Sequence, residues 1–138
     1  MFCGTGSDVG KSVIATAVCR IFKQDGMHPA PFKAQNMAPF YHLTADGKRV
    51  ARAQGVQAEA AGIKLSTDMN PLLLIPTGEK SSEVIVEGES IGIKTAMQLY
   101  AEEDRNYLRS CIQKAYNRLA KQYDPIVIEG AGSISEMN

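Results

Sequence analysis

The nine residues GTGSDVGKS, Gly4 to Ser12, restrict the fold more than any other stretch of the chain. Apolar residues at helical spacing follow as far as Phe22, and Gly26 supplies a stop, so we predict a helix over Gly10 to Asp25. Glycines before Gly-Lys-Ser let backbone N–H groups converge on an anion at the start of such a helix. The stretch therefore predicts a phosphate-binding loop (P-loop) between a strand and a helix. Its first glycine stands one place earlier than the usual G-x-x-x-x-G-K-S/T pattern requires.

Alternating strand-like and helix-like segments follow the loop. Pro29 to Lys33 is a short extended segment, although its two prolines are unusual in a central strand, and residues 32–48 resemble a loop. The remaining predicted elements are an alanine-rich helix from Arg49 to Ile63 that closes at Gly62, a buried strand from Leu72 to Ile75, a hairpin from Glu83 to Ile93 around Gly88, a helix from Asp104 to Tyr123, and a strand from Ile126 to Gly130. This order predicts the α/β fold class, with a mainly parallel sheet and helices on both faces.

Charge and cysteine content argue against several classes of partner. Fifteen Lys and Arg balance fifteen Asp and Glu in 138 residues, so no overall field attracts the chain to nucleic acid or to an anionic membrane. No apolar run approaches the roughly 20 residues of a membrane span. Three scattered cysteines suit neither a disulfide framework nor a closed zinc site, which favours a reducing compartment. We expect one soluble, cytoplasmic domain that binds any polyanion locally.

The loop supplies the first candidate site, for ATP and Mg²⁺. In a P-loop the lysine, here Lys11, reaches the β- and γ-phosphates, and the hydroxyl of Ser12 ligates the metal. Asp8 either orients a metal-bound water or the substrate, or stabilises the loop as an Asx turn. The residues predicted to surround the phosphates are Gly4, Thr5, Gly6, Ser7, Asp8, Val9, Gly10, Lys11 and Ser12.

Further candidate residues lie at the ends of predicted strands. Glu129 ends the last strand before a Gly-Ala-Gly turn, and Lys33 ends the extended segment beside Gln35 and Asn36. The carboxyl ends of parallel strands line a common crevice. Glu129 could therefore hold Mg²⁺ near the P-loop, and Lys33 could add a cation for a phosphate or for a carboxylate under attack. The alternative for Glu129 is an exposed acid at a strand end, which its pairing with the Gly-Ala-Gly turn disfavours. Taken alone, Lys33 is better explained as a solvated lysine.

Longer segments carry a resemblance to a known family. PFKAQNM, RAQGVQAEAAGI, DMNPLLL, EVIVEGE and YDPIVIEGAGS occur in this order and extend over nearly the whole chain. In these segments the chain resembles the N-terminal ATPase domain of the cobyric acid synthase family, which is similar in fold to dethiobiotin synthetase. FKAQNM and QAEAAG are more distinctive than the P-loop. In this branch five residues separate the first glycine from Gly-Lys-Ser, as they do after Gly4, so the loop is a variant P-loop.

The resemblance implies ATP- and Mg²⁺-dependent amidation of corrinoid side-chain carboxylates, starting from adenosylcobyrinic acid a,c-diamide and passing through an acyl phosphate. By motif position, Lys11 and Lys33 would be catalytic, and Ser12 and Glu129 would bind the metal. The residues expected to contact the phosphates or the substrate are Lys33, Gln35 and Asn36. Dethiobiotin synthetase has a further acidic metal ligand in its second helix, and this chain offers no evident equivalent.

The glutaminase domain of that family has no counterpart in these residues. We therefore expect residues 1–138 to be part of an N-terminal ATP-binding amidoligase domain, a fragment that binds nucleotide without making amides. The parent chain would include the glutaminase domain, and a homodimer is left open. One alternative is a dethiobiotin-synthetase-like carboxylase, which FKAQNM disfavours. Another is a partitioning-type ATPase switch, in which a signature lysine stands at the place of Gly6.

Overall fold

A computed structural model describes residues 1–99 and 101–133. The described elements, in chain order, are α1 (Lys11–Gln24), β1 (Ala30–Phe32), β2 (Gln35–Met37), β3 (Tyr41–Leu43), β4 (Arg49–Ala51), α2 (Arg52–Ala61), a 3-10 helix (Thr67–Met69), β5 (Leu72–Pro76), β6 (Ser81–Val86), β7 (Glu89–Thr95), α3 (Ala96–Leu99), α4 (Glu102–Ala120) and β8 (Ile126–Ile128).

The strands next to the loop pair in parallel. β1 pairs in parallel with β8, with Ala30 opposite Ile126. Phe2, just before the loop, bridges Glu129 in parallel from the other side of β8. β2 pairs in parallel with β5, and β6 and β7 continue that sheet as an antiparallel hairpin. The predicted α/β class and the predicted hairpin around Gly88 are confirmed.

Side chains of β8 alternate between two apolar layers. Val127 packs with Cys19 of α1 on one face of the sheet. Ile126 and Ile128 pack on the other face, in the cluster that contains Leu119 of α4. Because successive strand residues point to opposite faces, helices cover both sides of this strand, as predicted.

The helices that follow the loop and precede β8 have nearly the predicted bounds. α1 is Lys11–Gln24, against a prediction of residues 10–25, and α4 is Glu102–Ala120, against 104–123. Both predictions depended on apolar residues that recur at helical spacing over several turns, which is the most reliable local signal. None of the helices in residues 1–99 and 101–133 is both long and apolar enough to cross a membrane.

Two predictions for the middle of the chain are wrong. Residues 32–48 are not simply a loop, because they contain β2 and also β3, which pairs antiparallel with β4. The second helix begins at Arg52 rather than Arg49, because Arg49–Ala51 form β4. These strands have three residues each, too few to produce a recognisable alternation, and distant partners or a hairpin partner supply their hydrogen bonds.

The extended segment near Pro31 is confirmed as a strand, and all three residues of β1 are buried. Ala30 donates its N–H to the carbonyl of Pro125, and the carbonyl of Phe32 accepts from the N–H of Glu129. Since successive residues of a strand direct their backbone groups to opposite sides, the nitrogen of Pro31 faces away from β8. The proline therefore removes no hydrogen bond from this pairing.

Candidate functional site

The start of α1 is open to an anion. No side chain caps this helix at Gly10, and its first turn contains no acidic residue. Gly10 and Asp8 have φ angles of 93° and 56°, a left-handed conformation that turns the loop sharply into the helix. The first N–H groups of a helix have no partner within it, and they carry about half a positive charge together. This helix end is therefore suited to a phosphate group.

The side chain of Lys11 lies across the loop and packs against Gly4. A Cβ atom on Gly4 would lie 2.7 Å from Cγ2 of Val9 and 3.1 Å from both Cγ and Cδ of Lys11. The Nζ of Lys11 donates a hydrogen bond to the carbonyl of Gly6. A side chain at position 4 would therefore displace Val9 and press on Lys11, so glycine suits this position of the loop.

The buried carboxylate of Glu129 accepts hydrogen bonds from three side chains that lie in different segments of the chain. Oε1 of Glu129 accepts hydrogen bonds from the hydroxyl of Ser12 at 2.8 Å and from Nζ of Lys33 at 2.6 Å. Oε2 accepts from Nε2 of Gln57 at 2.8 Å. Glu129 is 2% exposed and Lys33 is 8% exposed. Lys33 follows β1 and Glu129 follows β8, so parallel pairing brings their side chains to the same edge of the sheet.

The described site includes two glutamines that the sequence analysis did not select. Gln54 and Gln57 of α2 are fully buried, and Gln54 accepts a hydrogen bond from Nδ2 of Asn36 at 3.1 Å. Their spacing in the sequence could have indicated this. Residues 54, 57, 58 and 61 share one face of a helix, and on this face Ala58 and Ala61 are also buried. Uncharged polar side chains on an apolar helix face must find partners inside the protein.

Most of the predicted site residues line one cavity of about 650 Å³. Its lining includes Ser7, Asp8, Gly10, Lys11, Ser12, Lys33, Gln35, Asn36 and Glu129. Gly4 instead lines an adjoining cavity of about 810 Å³, which also reaches Gln35 and Glu129. Thr5, Gly6 and Val9 belong to the loop but line neither cavity. The structure thus brings the loop and the two strand ends together.

The donor set fits a magnesium ion that accompanies a nucleotide. The Ser12 hydroxyl and the Glu129 carboxylate are hydrogen-bonded at 2.8 Å, so both oxygens lie together at the edge of the cavity. Among the described residues no group of three or more His, Cys, Asp or Glu could hold a metal by itself. Mg²⁺ is commonly held by one or two protein oxygens together with phosphates and waters. These residues therefore suit a shared site rather than an all-protein cage.

A glycine loop that opens a helix, with a carboxylate at the end of the adjacent parallel strand, defines the class of P-loop nucleotide-binding domains. The comparison with protein families agrees. The CobQ/CobB/MinD/ParA nucleotide binding domain family matches residues 1–137, and the chain belongs to this family.

Curated relatives narrow the relationship within the family. Over its full length the chain is 58% identical to the cobyric acid synthase of Phocaeicola vulgatus and 56% identical to that of Bacteroides fragilis, and it covers 28% of each. It is 55% identical to the cobyric acid synthase of Syntrophobacter fumaroxidans and covers 26% of that protein. The predicted resemblance is confirmed, and the chain spans little more than a quarter of the length of these relatives.

Proposed function

We propose that the full-length protein containing this chain is an ATP-dependent, glutamine-hydrolysing amidoligase of cobalamin biosynthesis, a cobyric acid synthase. It converts adenosylcobyrinic acid a,c-diamide to cobyric acid, with ATP and Mg²⁺. Identities of 55–58% to proteins with that name support the proposal. In this proposal residues 1–138 are part of the ATP-binding domain. A glutaminase domain elsewhere in the parent chain supplies ammonia, and the protein works in the cytoplasm.

The observation that carries the proposal is the convergence of Ser12 and Lys33 on Glu129 within the cavity that contains Lys11. A carboxylate resists attack by ammonia until its oxygen becomes part of a better leaving group. The substrate carboxylate attacks the γ-phosphorus of ATP, the bond to the ADP oxygen breaks, and an acyl phosphate forms. Ammonia then adds to the acyl carbon, phosphate leaves, and the nitrogen loses a proton. Two anions must approach each other in the first step, which requires nearby cations.

Each side chain has a role set by its position. Lys11 and the N–H groups of α1 would bind the phosphates, and Ser12 and Glu129 would hold the metal. Mg²⁺ would neutralise phosphate charge when bound. Lys33 lies beside Glu129 and in the same cavity as Gln35, so it can meet the incoming carboxylate or the transferred phosphoryl group. Asn36 lines the same cavity, and the adjoining space accommodates part of the substrate.

The test is amide formation by the full-length protein. The protein is incubated with MgATP, ammonium and adenosylcobyrinic acid a,c-diamide whose carboxylates carry ¹⁸O, and mass spectrometry follows corrinoid and phosphate. We expect successive amide products, with one ¹⁸O transferred to phosphate for each amide. Product without ¹⁸O transfer would exclude the acyl phosphate, and absence of product would overturn the proposal. Diaminopelargonic acid with bicarbonate serves as the control substrate, because its turnover would instead indicate the dethiobiotin-synthetase-like reaction.

The metal role is tested by Glu129→Gln in the same protein. We expect the Mg²⁺-dependent rate to fall at least 30-fold, about 2 kcal/mol, whereas ATP binding measured in EDTA changes less than threefold. The carboxylate acts on the metal rather than on the nucleotide, so the two losses should differ. Equal losses would contradict this role for Glu129.

A further inference from the structure

A continuous series of amide hydrogen bonds lies behind the carboxylate of Glu129. Nδ2 of Asn36 donates to Oε1 of Gln54 at 3.1 Å, and Nε2 of Gln54 donates to Oε1 of Gln57 at 3.2 Å. Nε2 of Gln57 then donates to Oε2 of Glu129 at 2.8 Å. We call this series the amide relay. Its three amides are buried, and two of them are fully inaccessible to solvent.

The charge of Glu129 determines the direction of the whole relay. An ionised carboxylate only accepts hydrogen bonds, so Gln57 must present its NH₂ group to it. The carbonyl oxygen of Gln57 then faces Gln54, which must in turn donate, and the same requirement orients Asn36. Rotating any one amide by half a turn would place two donors or two acceptors face to face in a buried position, which is costly. Each residue of the relay therefore has one favourable orientation.

The two oxygens of Glu129 have different surroundings. Oε1 is shared by Ser12 and Lys33, on the cavity side, whereas the relay holds Oε2. Gln57 also lies 3.5 Å from the carbonyl oxygen of Ser12, at the limit of a hydrogen bond. Gln57 therefore contacts both of the residues that supply candidate metal oxygens, although it does not line the cavity itself.

We propose that Gln57 is a positioning residue for the metal site, oriented by Gln54 and Asn36. By holding Oε2, Gln57 keeps Oε1 directed at Ser12 on the cavity side, where Oε1 and the Ser12 hydroxyl would hold Mg²⁺. The proposal depends on the proposed function only in taking Glu129 as a metal ligand. It adds a role for the QAEAAG segment, which the reaction itself does not explain. Asn36 and Glu129 both line the cavity, so the relay connects two parts of the cavity lining through the buried side of α2.

The experiment measures the Mg²⁺ concentration that half-saturates ATP-dependent turnover in the full-length protein. Partners of metal ligands typically change metal affinity 10- to 100-fold. We expect Gln57→Leu to raise this concentration about tenfold or more. Gln54→Leu should raise it about threefold, because Gln57 remains but loses its orienting donor. ATP binding in EDTA should stay within twofold of the unaltered protein in both variants, which a general loss of structure would not allow.

The matched control is Gln113→Leu, the same chemical change on the exposed surface of α4, where Gln113 donates to Asn117. It should leave the Mg²⁺ requirement unchanged. Mn²⁺ replaces Mg²⁺ in a second measurement, in which electron paramagnetic resonance counts bound ion directly. Weaker Mn²⁺ binding is expected in the same order of variants, with no dependence on catalytic turnover.

Two outcomes separate this inference from the proposed function. If Glu129→Gln alters the Mg²⁺ requirement and a folded Gln57→Leu does not, Gln57 has no positioning role. If neither variant alters it, the assignment of Glu129 to the metal is wrong as well. Should Gln57→Leu fail to fold, Gln57→Asn replaces it, since the shorter amide keeps the polarity but cannot reach Oε2. An unchanged Mn²⁺ affinity in Gln57→Asn would then refute the inference.

Discussion

The phosphate loop, residues 4–12, and the carboxylate cluster of Glu129, Lys33, Ser12 and Gln57 lie beside the same cavity but are built in different ways. The loop is one continuous, partly exposed stretch that lines the cavity with Lys11 and with four further residues, Ser7, Asp8, Gly10 and Ser12. The cluster takes its four residues from four separate regions of the chain, and its central ion pair joins side chains 96 positions apart.

This difference separates two kinds of contribution to the site. The loop has a shape that suits an anion, and few of its side chains support the core. Lys33, Gln57 and Glu129 of the cluster are buried, so their charges and amide must satisfy one another even when no ligand is bound. We therefore expect substitutions in the loop to change ligand affinity, and substitutions in the cluster to change stability as well.

The largest expected effect is on the buried ion pair. Glu129→Leu should lower the free energy of unfolding by roughly 3–5 kcal/mol, because it leaves the buried ammonium of Lys33 without its carboxylate. Lys33→Met should cost less, since Glu129 would still accept hydrogen bonds from Ser12 and Gln57. Urea denaturation followed by circular dichroism measures both. The double variant should recover part of the loss, and a double variant less stable than Glu129→Leu would contradict a mutual dependence of the two charges.

The loop is tested by Lys11→Ala. Nucleotide affinity should fall at least 100-fold, about 2.7 kcal/mol, because a cation is removed from among crowded phosphates. The free energy of unfolding should change by less than about 0.5 kcal/mol. Calorimetric titration with MgATP measures the first quantity. A variant that binds MgATP within about threefold of the unaltered protein would show that the loop is not a phosphate site.

A smaller effect is expected from Gly4→Ala. The added Cβ would displace the side chain of Val9 and press on Lys11, so MgATP affinity should fall about tenfold, or 1.4 kcal/mol. Gly6→Ala is the matched control, because the nearest atom to its Cβ would be a side-chain atom of Val9 at 3.5 Å, an ordinary contact. Equal affinities for the two variants would rule out the close approach of Lys11 as the reason for glycine at position 4.

The smallest expected effect is at a half-buried ion pair, which serves as a reference for the stability contribution of the fully buried pair. The two guanidinium nitrogens of Arg49 donate to both oxygens of Glu83 at 3.0 and 3.1 Å. Hydrogen bonds from Arg49, and then from Ser90, lower the pKa of Glu83 below its ordinary value of 4.5. Because the folded pKa is the lower one, the pair stabilises the protein above pH 4.5, and this stabilisation is lost as the pH falls through the folded value.

The substitution Arg49→Gln tests the direction of this pH dependence of stability. At pH 7 the variant should be less stable by about 1 kcal/mol or less, because water still reaches this half-buried pair, and the difference should shrink on acidification below about pH 4.5. Thermal unfolding at several pH values provides the measurement, with Arg105→Gln on the exposed surface of α4 as the control for the change in charge. A stability difference that grows at acid pH would contradict the direction of the pKa shift.

Features that depend on neighbouring residues could be predicted from the sequence, whereas features that depend on residues far apart in the chain could not. Helix α1 and α4 were predicted because many successive residues repeat the same apolar spacing. The three-residue strands β2 and β4 were missed, because β2 is stabilised by pairing with β5 and β4 by pairing with β3. Gln57 was missed for a similar reason, since its partner Glu129 lies 72 positions away.

The sequence by itself determined the glycine loop, the helix that follows it and the identities of Lys11 and Ser12, because consecutive residues specify a local backbone shape. It also placed Lys33 and Glu129 at strand ends, where parallel pairing brings such residues to one edge. Only the tertiary structure decided that Lys33 and Ser12 donate to the same oxygen of Glu129, and that Gln57 of α2 donates to the other oxygen. The physical reason is burial. A carboxylate removed from water must accept hydrogen bonds from donors within the protein, and the packing of helices and strands from distant parts of the chain decides which donors are close enough.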